Sequence, residues 1–284
     1  MPHVWSASEI TIPRQDGSLI RALHVAPPNS RAGTILYFHG GGWAFGSHMT
    51  HEDPVRRLSL ATGMTVISIS YRLAPEHPFP SGLKDCVTAW RALSNGRIHG
   101  IAATPPLILA GDSAGANLAL AVMLHEVDDA RSLPDAAFLF YGVYNANFDT
   151  PSYLEWADGP VLTRAKMERF WDWYCPALKR GSFLASPFLA PTTLLRALPQ
   201  LYIAAAEIDP LRSENEQFSD LMRNIAGRND TLTLWPGLVH GALGYANRVE
   251  QVGEHIREVG EWANDQFPND EFIGRSIPQI APSQ

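Results

Sequence analysis

The sequence is poor in several features, and each shortage closes off a class of function. It has two cysteines, Cys86 and Cys175, in no metal-type spacing. Neither a disulfide framework nor a cysteine-based metal centre is expected, and both thiols read as small buried hydrophobes. No block of like charges occurs, and the formal net charge is −7, which leaves no electrostatic footprint for nucleic acid. No run approaches the ~18 apolar residues of a membrane span. The N-terminus has no basic start followed by an apolar stretch, so neither a signal peptide nor membrane association is expected, and a cytoplasmic location fits. Internal repeats and low-complexity stretches are missing too.

What remains is an ordinary globular composition, 45% hydrophobic and 18% charged over 284 residues, with ample material for a core. Glu9 to Ile12 and Leu19 to Val25 alternate around Asp16-Gly17, the pattern of an antiparallel hairpin. Thr34 to Phe38, Met64 to Ser70, Leu107 to Ala110, Ala137 to Tyr141, Leu201 to Ala205 and Thr231 to Trp235 read as strands. Between and after them, His51 to Thr62, Ser81 to Leu93, Ala114 to Glu126, Ser213 to Ile225 and Arg248 to Gln266 read as helices. Such alternation with short connections predicts an α/β fold, a mostly parallel central sheet with helices on both faces. The tail from Phe267 is polar and proline-containing, and loose packing is expected there.

One interval, from Asn145 to Pro199, has no clear strand. A structureless loop of that length is implausible inside a compact domain. With Arg164 to Tyr174 helical, it reads as a small helical lid inserted into a single domain spanning residues 1–284. Its many aromatics are expected mainly to pack the lid itself.

Gly111-Asp112-Ser113-Ala114-Gly115 joins an apolar strand directly to an alanine-rich helix. A strand turning at once into a helix forces the serine into unfavourable backbone angles, and flanking glycines remove the clashes. This pattern is that of a nucleophile elbow, which lifts the Ser113 hydroxyl clear of the sheet. A serine hydroxyl needs a base, and the base needs an orienting acid. Downstream of Ser113, His125 sits on the helix and far from the elbow, whereas His240 sits in a glycine-bracketed loop after the last strand, at the carboxyl edge where the base is required. His240 is therefore the base. For the acid, Glu207 and Asp209 compete just after the strand Leu201 to Ala205. Pro210 favours Asp209 by fixing it where the next helix begins. Glu214 and Glu216, farther along, are expected to cap or solvate that helix. His39-Gly40-Gly41-Gly42-Trp43 follows the strand Thr34 to Phe38 and can turn backbone amides into a cavity, as oxyanion stabilisation requires. A phosphate loop would instead want a following lysine and hydroxyl residue. His39 itself is read as a structural hydrogen-bonding group.

These motifs, together with Tyr71-Arg72-Leu73-Ala74-Pro75-Glu76-His77-Pro78-Phe79-Pro80, Asp209-Pro210-Leu211-Arg212 and His240-Gly241, resemble the hormone-sensitive-lipase-like family of α/β-hydrolases in order and spacing. The resemblance implies an α/β-hydrolase fold and a catalytic triad of Ser113, Asp209 and His240. It places the oxyanion donors on the backbone amides of Gly41, Gly42 and Ala114, and it calls for no metal and no cofactor. It further suggests that Arg72, Glu76 and Asp112 form a charged network supporting the elbow. The segment ahead of His39 is shorter than the family's, so the lid must come almost wholly from 145–199. That segment carries Asp158, Arg164 and Lys166 and makes no broad apolar platform. The expected activity is hydrolysis of short-chain acyl esters of small molecules. An amidase or formamidase with the same triad is the alternative, and a non-catalytic receptor on this scaffold a remote one, since such receptors lose a triad member. With no dedicated oligomer surface in view, a monomer or homodimer is expected.

Overall fold

The structure is a computed structural model that describes residues 6–268 other than 227 and 229. All of the tail after Pro268, where loose packing was expected, lies outside the described residues. Strands β1 (Ser6–Pro13) and β2 (Leu19–Ala26) form the antiparallel hairpin. Its turn is fixed by Asp16, whose carboxylate accepts the Ser18 amide at 2.9 Å, and by Gly17 at φ +82°. Six further strands follow: β3 (Thr34–Phe38), β4 (Thr65–Ile69), β5 (Leu107–Asp112), β6 (Ala136–Phe140), β7 (Gln200–Ile208) and β8 (Thr231–Val239). The sheet order is β1-β2-β4-β3-β5-β6-β7-β8, and every pairing from β4 to β8 is parallel.

Strand β3 explains why such runs are continuously apolar. Ile35 and Tyr37 face a layer made with α1 (Glu52–Thr62) and α8 (Glu250–Gln266), while Leu36 and Phe38 face α2 (Ser81–Ser94), α3 (Ala114–Asp128) and α7 (Arg212–Ala226). With helices on both faces, neither side of the strand can be polar. Helix α3 is enclosed on all sides from Ala114 to Leu124, which its small alanines permit. Among the described residues, no helix is long and apolar enough to cross a membrane.

The interval between β6 and β7 contains α4 (Pro151–Glu155), α5 (Arg164–Tyr174) and α6 (Thr192–Arg196). Its aromatics serve mainly its own anchorage. Tyr174 stacks on Trp43 at 4.1 Å between ring centroids, and Trp171 meets the same indole edge-on at 4.9 Å. Phe170 is the exception and reaches the cavity described below.

The neck of this segment, just past β6, is strapped by side chains from α3 and α7. Asn117 Nδ2 donates to the carbonyls of Val143 and Ala185 at 2.9 and 3.0 Å. Asn215 both accepts from the Gly142 amide and donates to its carbonyl, at 3.1 and 2.8 Å. The Tyr144 amide donates to Glu214. This corrects the expectation that Glu214 caps or solvates α7: its side chain is buried, turned away from water onto the neck. Burial pushes its pKa up to about 8, against the pull of the Tyr144 amide. Glu216, by contrast, lies half-exposed beside Arg212 as a solvated helix residue does.

The Glu214 assignment has a signed consequence for stability. Between the ordinary glutamate value of 4.5 and about 8, the folded chain holds a proton that the unfolded chain has released. The contribution of this group is therefore full below 4.5 and is lost as pH rises to about 8. Glu214→Gln keeps a carbonyl for the Tyr144 amide and removes the ionisation. Its unfolding temperature, relative to the parent's, should rise between about pH 5 and about pH 8 in thermal denaturation. A difference that stays constant over this range would mean that Glu214 is ionised in the fold.

Candidate active site

Strand β5 ends at Asp112 and helix α3 begins at Ala114, so Ser113 alone makes the turn. It sits at φ 53°, ψ −118°, a conformation that costs a non-glycine residue on the order of 1–3 kcal/mol and persists only when its surroundings impose it. Here they do. The Ser113 amide donates to the Phe140 carbonyl at 2.9 Å. A Cβ on Gly115 would run into the Phe38 carbonyl, and one on Gly111 into Gly115 itself. Both glycines are thus required by close backbone approach, and Ser113 is left facing a cavity above the sheet.

His240 follows β8 and hydrogen-bonds through both ring nitrogens. Its Nε2 lies 2.9 Å from Ser113 Oγ and its Nδ1 2.7 Å from Asp209 Oδ2. With Nδ1–H donating to the carboxylate, Nε2 is free to accept the serine hydroxyl. Tyr141 packs edge-on against the imidazole at 5.1 Å. Asp209 is 1% exposed, and its other oxygen accepts the Leu211 amide at 2.9 Å at the start of α7. The competing acid has a separate place: Glu207 accepts the Gly237 amide at 2.6 Å and so braces the β8 bend that leads to His240. Ser113, His240 and Asp209 form one hydrogen-bonded chain, and Glu207 stands outside it.

The glycine loop after β3 is held from below. Asp112 Oδ1 accepts the Tyr37 hydroxyl at 2.7 Å and the Gly40 amide at 2.8 Å, and His51 Nε2 lies 3.6 Å away. Burial alone would raise the Asp112 pKa, but the His51 charge and these donors outweigh it and lower it. Burial likewise works against the charge on His51, and the Asp112 carboxylate outweighs it, so the His51 pKa is raised. Gly41 and Gly42 take φ +113° and +58°, and Gly41's carbonyl accepts the Phe45 amide at 2.9 Å to close the turn. Gly41, Gly42, Ser113 and His240 line the same cavity, with Ala114 directly after the serine. His39 is wholly buried, stacked on Tyr71 at 4.3 Å with Nδ1 2.8 Å from the Gly40 carbonyl. Burial, and then the nearby charge of His51, lowers its pKa to about 4, so it is neutral and structural, in line with its reading from sequence.

The expected Arg72–Glu76–Asp112 network does not form. Asp112 faces Tyr37 on the α1 side of the sheet, whereas Arg72 lies on the α2 side. There Arg72 pairs with Asp85 at 2.8 Å alongside Arg14 at 2.7 Å, and Glu76 is exposed. The partners of Asp112 that sequence reasoning missed are Tyr37, inside a strand, and His51, at the start of α1. The available signal for His51 was a histidine just past the glycine loop with two acids following it.

The cavity above Ser113 has a volume of about 360 Å³ and apolar walls from Val161, Leu162, Met167, Phe170 and Leu243, with Lys166 among them. A larger hollow of about 520 Å³ runs along α2. It is lined by the Arg14–Asp85–Arg72 pairs and holds no activated nucleophile. His125, Glu126 and Asp129 gather possible metal donors within 4.8 Å of one another. Arg91, however, already occupies both carboxylates at 2.7 Å each.

A family described by the α/β-hydrolase fold matches residues 35–244. Carboxylesterase NlhH of Mycobacterium tuberculosis is 34% identical over 227 residues, covering 78% of this chain and 69% of that protein. Esterase LipI of the same organism is 34% identical over 230 residues, covering 80% and 71%. Among solved structures, a Pyrobaculum calidifontis esterase superposes with a TM-score of 0.84 at 31% identity, over 92% of this chain and 85% of its own. A fungal esterase from Rhizomucor miehei gives 0.87 at 32% identity, over 93% and 83%. The matched span runs from β3 to the loop after His240, carrying the glycine loop, the elbow and both partners of the serine, and the chain belongs to the hormone-sensitive-lipase-like family of α/β-hydrolases.

Proposed function

We propose that the chain is a serine carboxylesterase that hydrolyses short-chain acyl esters of small molecules. The observation that carries this reading is the hydrogen-bonded chain from Ser113 through His240 to Asp209, and the carboxylesterase relatives support it. Ser113 Oγ attacks the ester carbonyl as His240 Nε2 takes its proton, and Asp209 stabilises the resulting imidazolium. The amides of Gly41, Gly42 and Ala114 receive the oxyanion. Collapse breaks the acyl–oxygen bond, and His240 returns the proton to the departing alcohol. Water then attacks the acyl-serine carbonyl and gives a proton to His240; the bond from the acyl group to Ser113 Oγ breaks, His240 returns that proton to Oγ, and the carboxylic acid leaves. The chain works as a single domain, monomer or homodimer, in the cytoplasm, with the 145–199 segment as its lid.

Two measurements test this. Ser113→Ala should lose several orders of magnitude in kcat while the protein stays folded by circular dichroism, and a serine-directed organophosphate should label Ser113 alone. Activity retained in that variant, or label on Cys86 or Cys175, would refute the assignment. Anilides turned over faster than matched esters would instead make the chain an amidase.

Chain length gives a further measurement. A cavity of about 360 Å³ lies near the lower end of ligand pockets, which span ~300–1,000 Å³. Each buried methylene adds about 0.8 kcal/mol until the pocket is full. Across p-nitrophenyl esters of rising length, kcat/KM should peak between acetyl and hexanoyl and fall steeply beyond, with no rate jump above the solubility limit. A maximum on long acyl chains would contradict the proposed lid.

A further inference from the structure

Besides Asp112 and His51, which hold the glycine loop from below, the cavity over Ser113 is lined by a charged side chain with no part in the chemistry above, the exposed Lys166 on α5. Its placement runs against helix electrostatics. Lys166 lies in the first turn of α5, a turn without acidic residues, where the positive end of the helix dipole disfavours a cation. Arg164, in the same turn, is offset by Asp149 at 2.9 Å and Glu168 at 3.0 Å. The acids on α5 itself are taken: Glu168 by Arg164, and Asp172 by Arg180 at 2.7 Å. Among the described residues, no carboxylate lies within ion-pair distance of Lys166. Its ammonium donates to the Val161 carbonyl at 2.7 Å, and Val161 belongs to the same cavity wall. An ammonium has three N–H donors, so two remain for a ligand. The carboxylate at the cavity floor, Asp112, is engaged by Tyr37, Gly40 and His51 and does not offset Lys166. The rim of an otherwise apolar wall thus carries an exposed positive charge with no carboxylate partner among the described residues, set at a position where helix stability alone would not put one.

We propose that Lys166 makes this site selective for esters that carry a carboxylate at the end of a short acyl or alcohol arm. The inference rests on the ester-hydrolase reading and names the substrate class within it. Phe170 and Met167 bury the arm's methylenes, and Lys166 receives its anionic end near the mouth of the cavity.

The test compares matched pairs of esters by titrating released acid. Monoethyl glutarate is set against ethyl 5-methylhexanoate, in which an isopropyl group stands where the carboxylate was. For the alcohol arm, 4-acetoxybutanoate is set against 4-methylpentyl acetate. The parent should prefer the anion in at least one pair, and the pair identifies the arm. Lys166→Met should lower the anion-to-neutral ratio of kcat/KM by about 5-fold, the size of a partly exposed charge pair, and Lys166→Arg should restore it. Added salt should erode the ratio in the parent and leave it unmoved in Lys166→Met. A ratio indifferent to Lys166 in both pairs overturns the proposal. Calorimetric binding of the same four compounds to Ser113→Ala protein, with and without Lys166→Met, separates the two readings. Anion-selective binding that depends on Lys166 but is accompanied by no ester turnover in the parent sinks the esterase reading alone. Equal binding with and without Lys166 sinks this one.

Discussion

The site depends on one buried carboxylate. Asp112 is the last residue of β5 and accepts from Tyr37 and Gly40 beneath the glycine loop, with His51 completing its surroundings. A carboxylate out of water is tolerable only when its lone pairs are occupied, so the loop cannot shift without leaving that charge short of a donor. Because Asp112 immediately precedes Ser113, the turn that exposes the hydroxyl also sets where the Gly40–Gly42 backbone lies. The serine turn and the glycine loop share one anchor. The backbone contact of Gly115 with Phe38 reinforces it from the other side of the turn.

The carboxyl end of β7 divides its labour in a similar way. Two acids spaced by a single residue point to different jobs. Asp209 meets the imidazole of His240, and Glu207 holds the Gly237 amide of the neighbouring strand's bend. The position of the imidazole is therefore fixed twice, once at its ring and once along the chain that delivers it.

Much of this was legible in the sequence wherever a backbone constraint leaves a trace in residue type. Glycines around Ser113, proline after Asp209 and three glycines after β3 each mark a geometry that other residues resist. Helix α5 matches its expected span from Arg164 to Tyr174, because its apolar positions recur at helical spacing. Strands β7 and β8 run on to Ile208 and Val239 instead of ending at Ala205 and Trp235. Pro236-Gly237 reads as a stop, yet pairing resumes beyond an irregularity between Ala206 and Ile208. Charge partners were not legible. Which acid meets Arg72 depends on the face of the sheet from which each side chain projects, and spacing along the chain does not encode that. The burial of Glu214 escaped notice for the same reason: an acid near a helix start ordinarily faces water, and only the neck of the segment packed against α7 makes it otherwise.

That neck bears on how the fold could be re-engineered. The helical segment between β6 and β7 looks like a replaceable module, bounded by strand ends that any relative would supply. Its first residues, however, are held by Asn117 of α3 and by Glu214 and Asn215 of α7, and α7 begins where Asp209 fixes its first amide. Transplanting residues 145–199 alone would part the segment from this neck and take the Ala185 carbonyl away from Asn117. A workable graft has its seams elsewhere: it takes in Gly142 at one end, carries the start of α7 at the other, and brings along the residue at position 117.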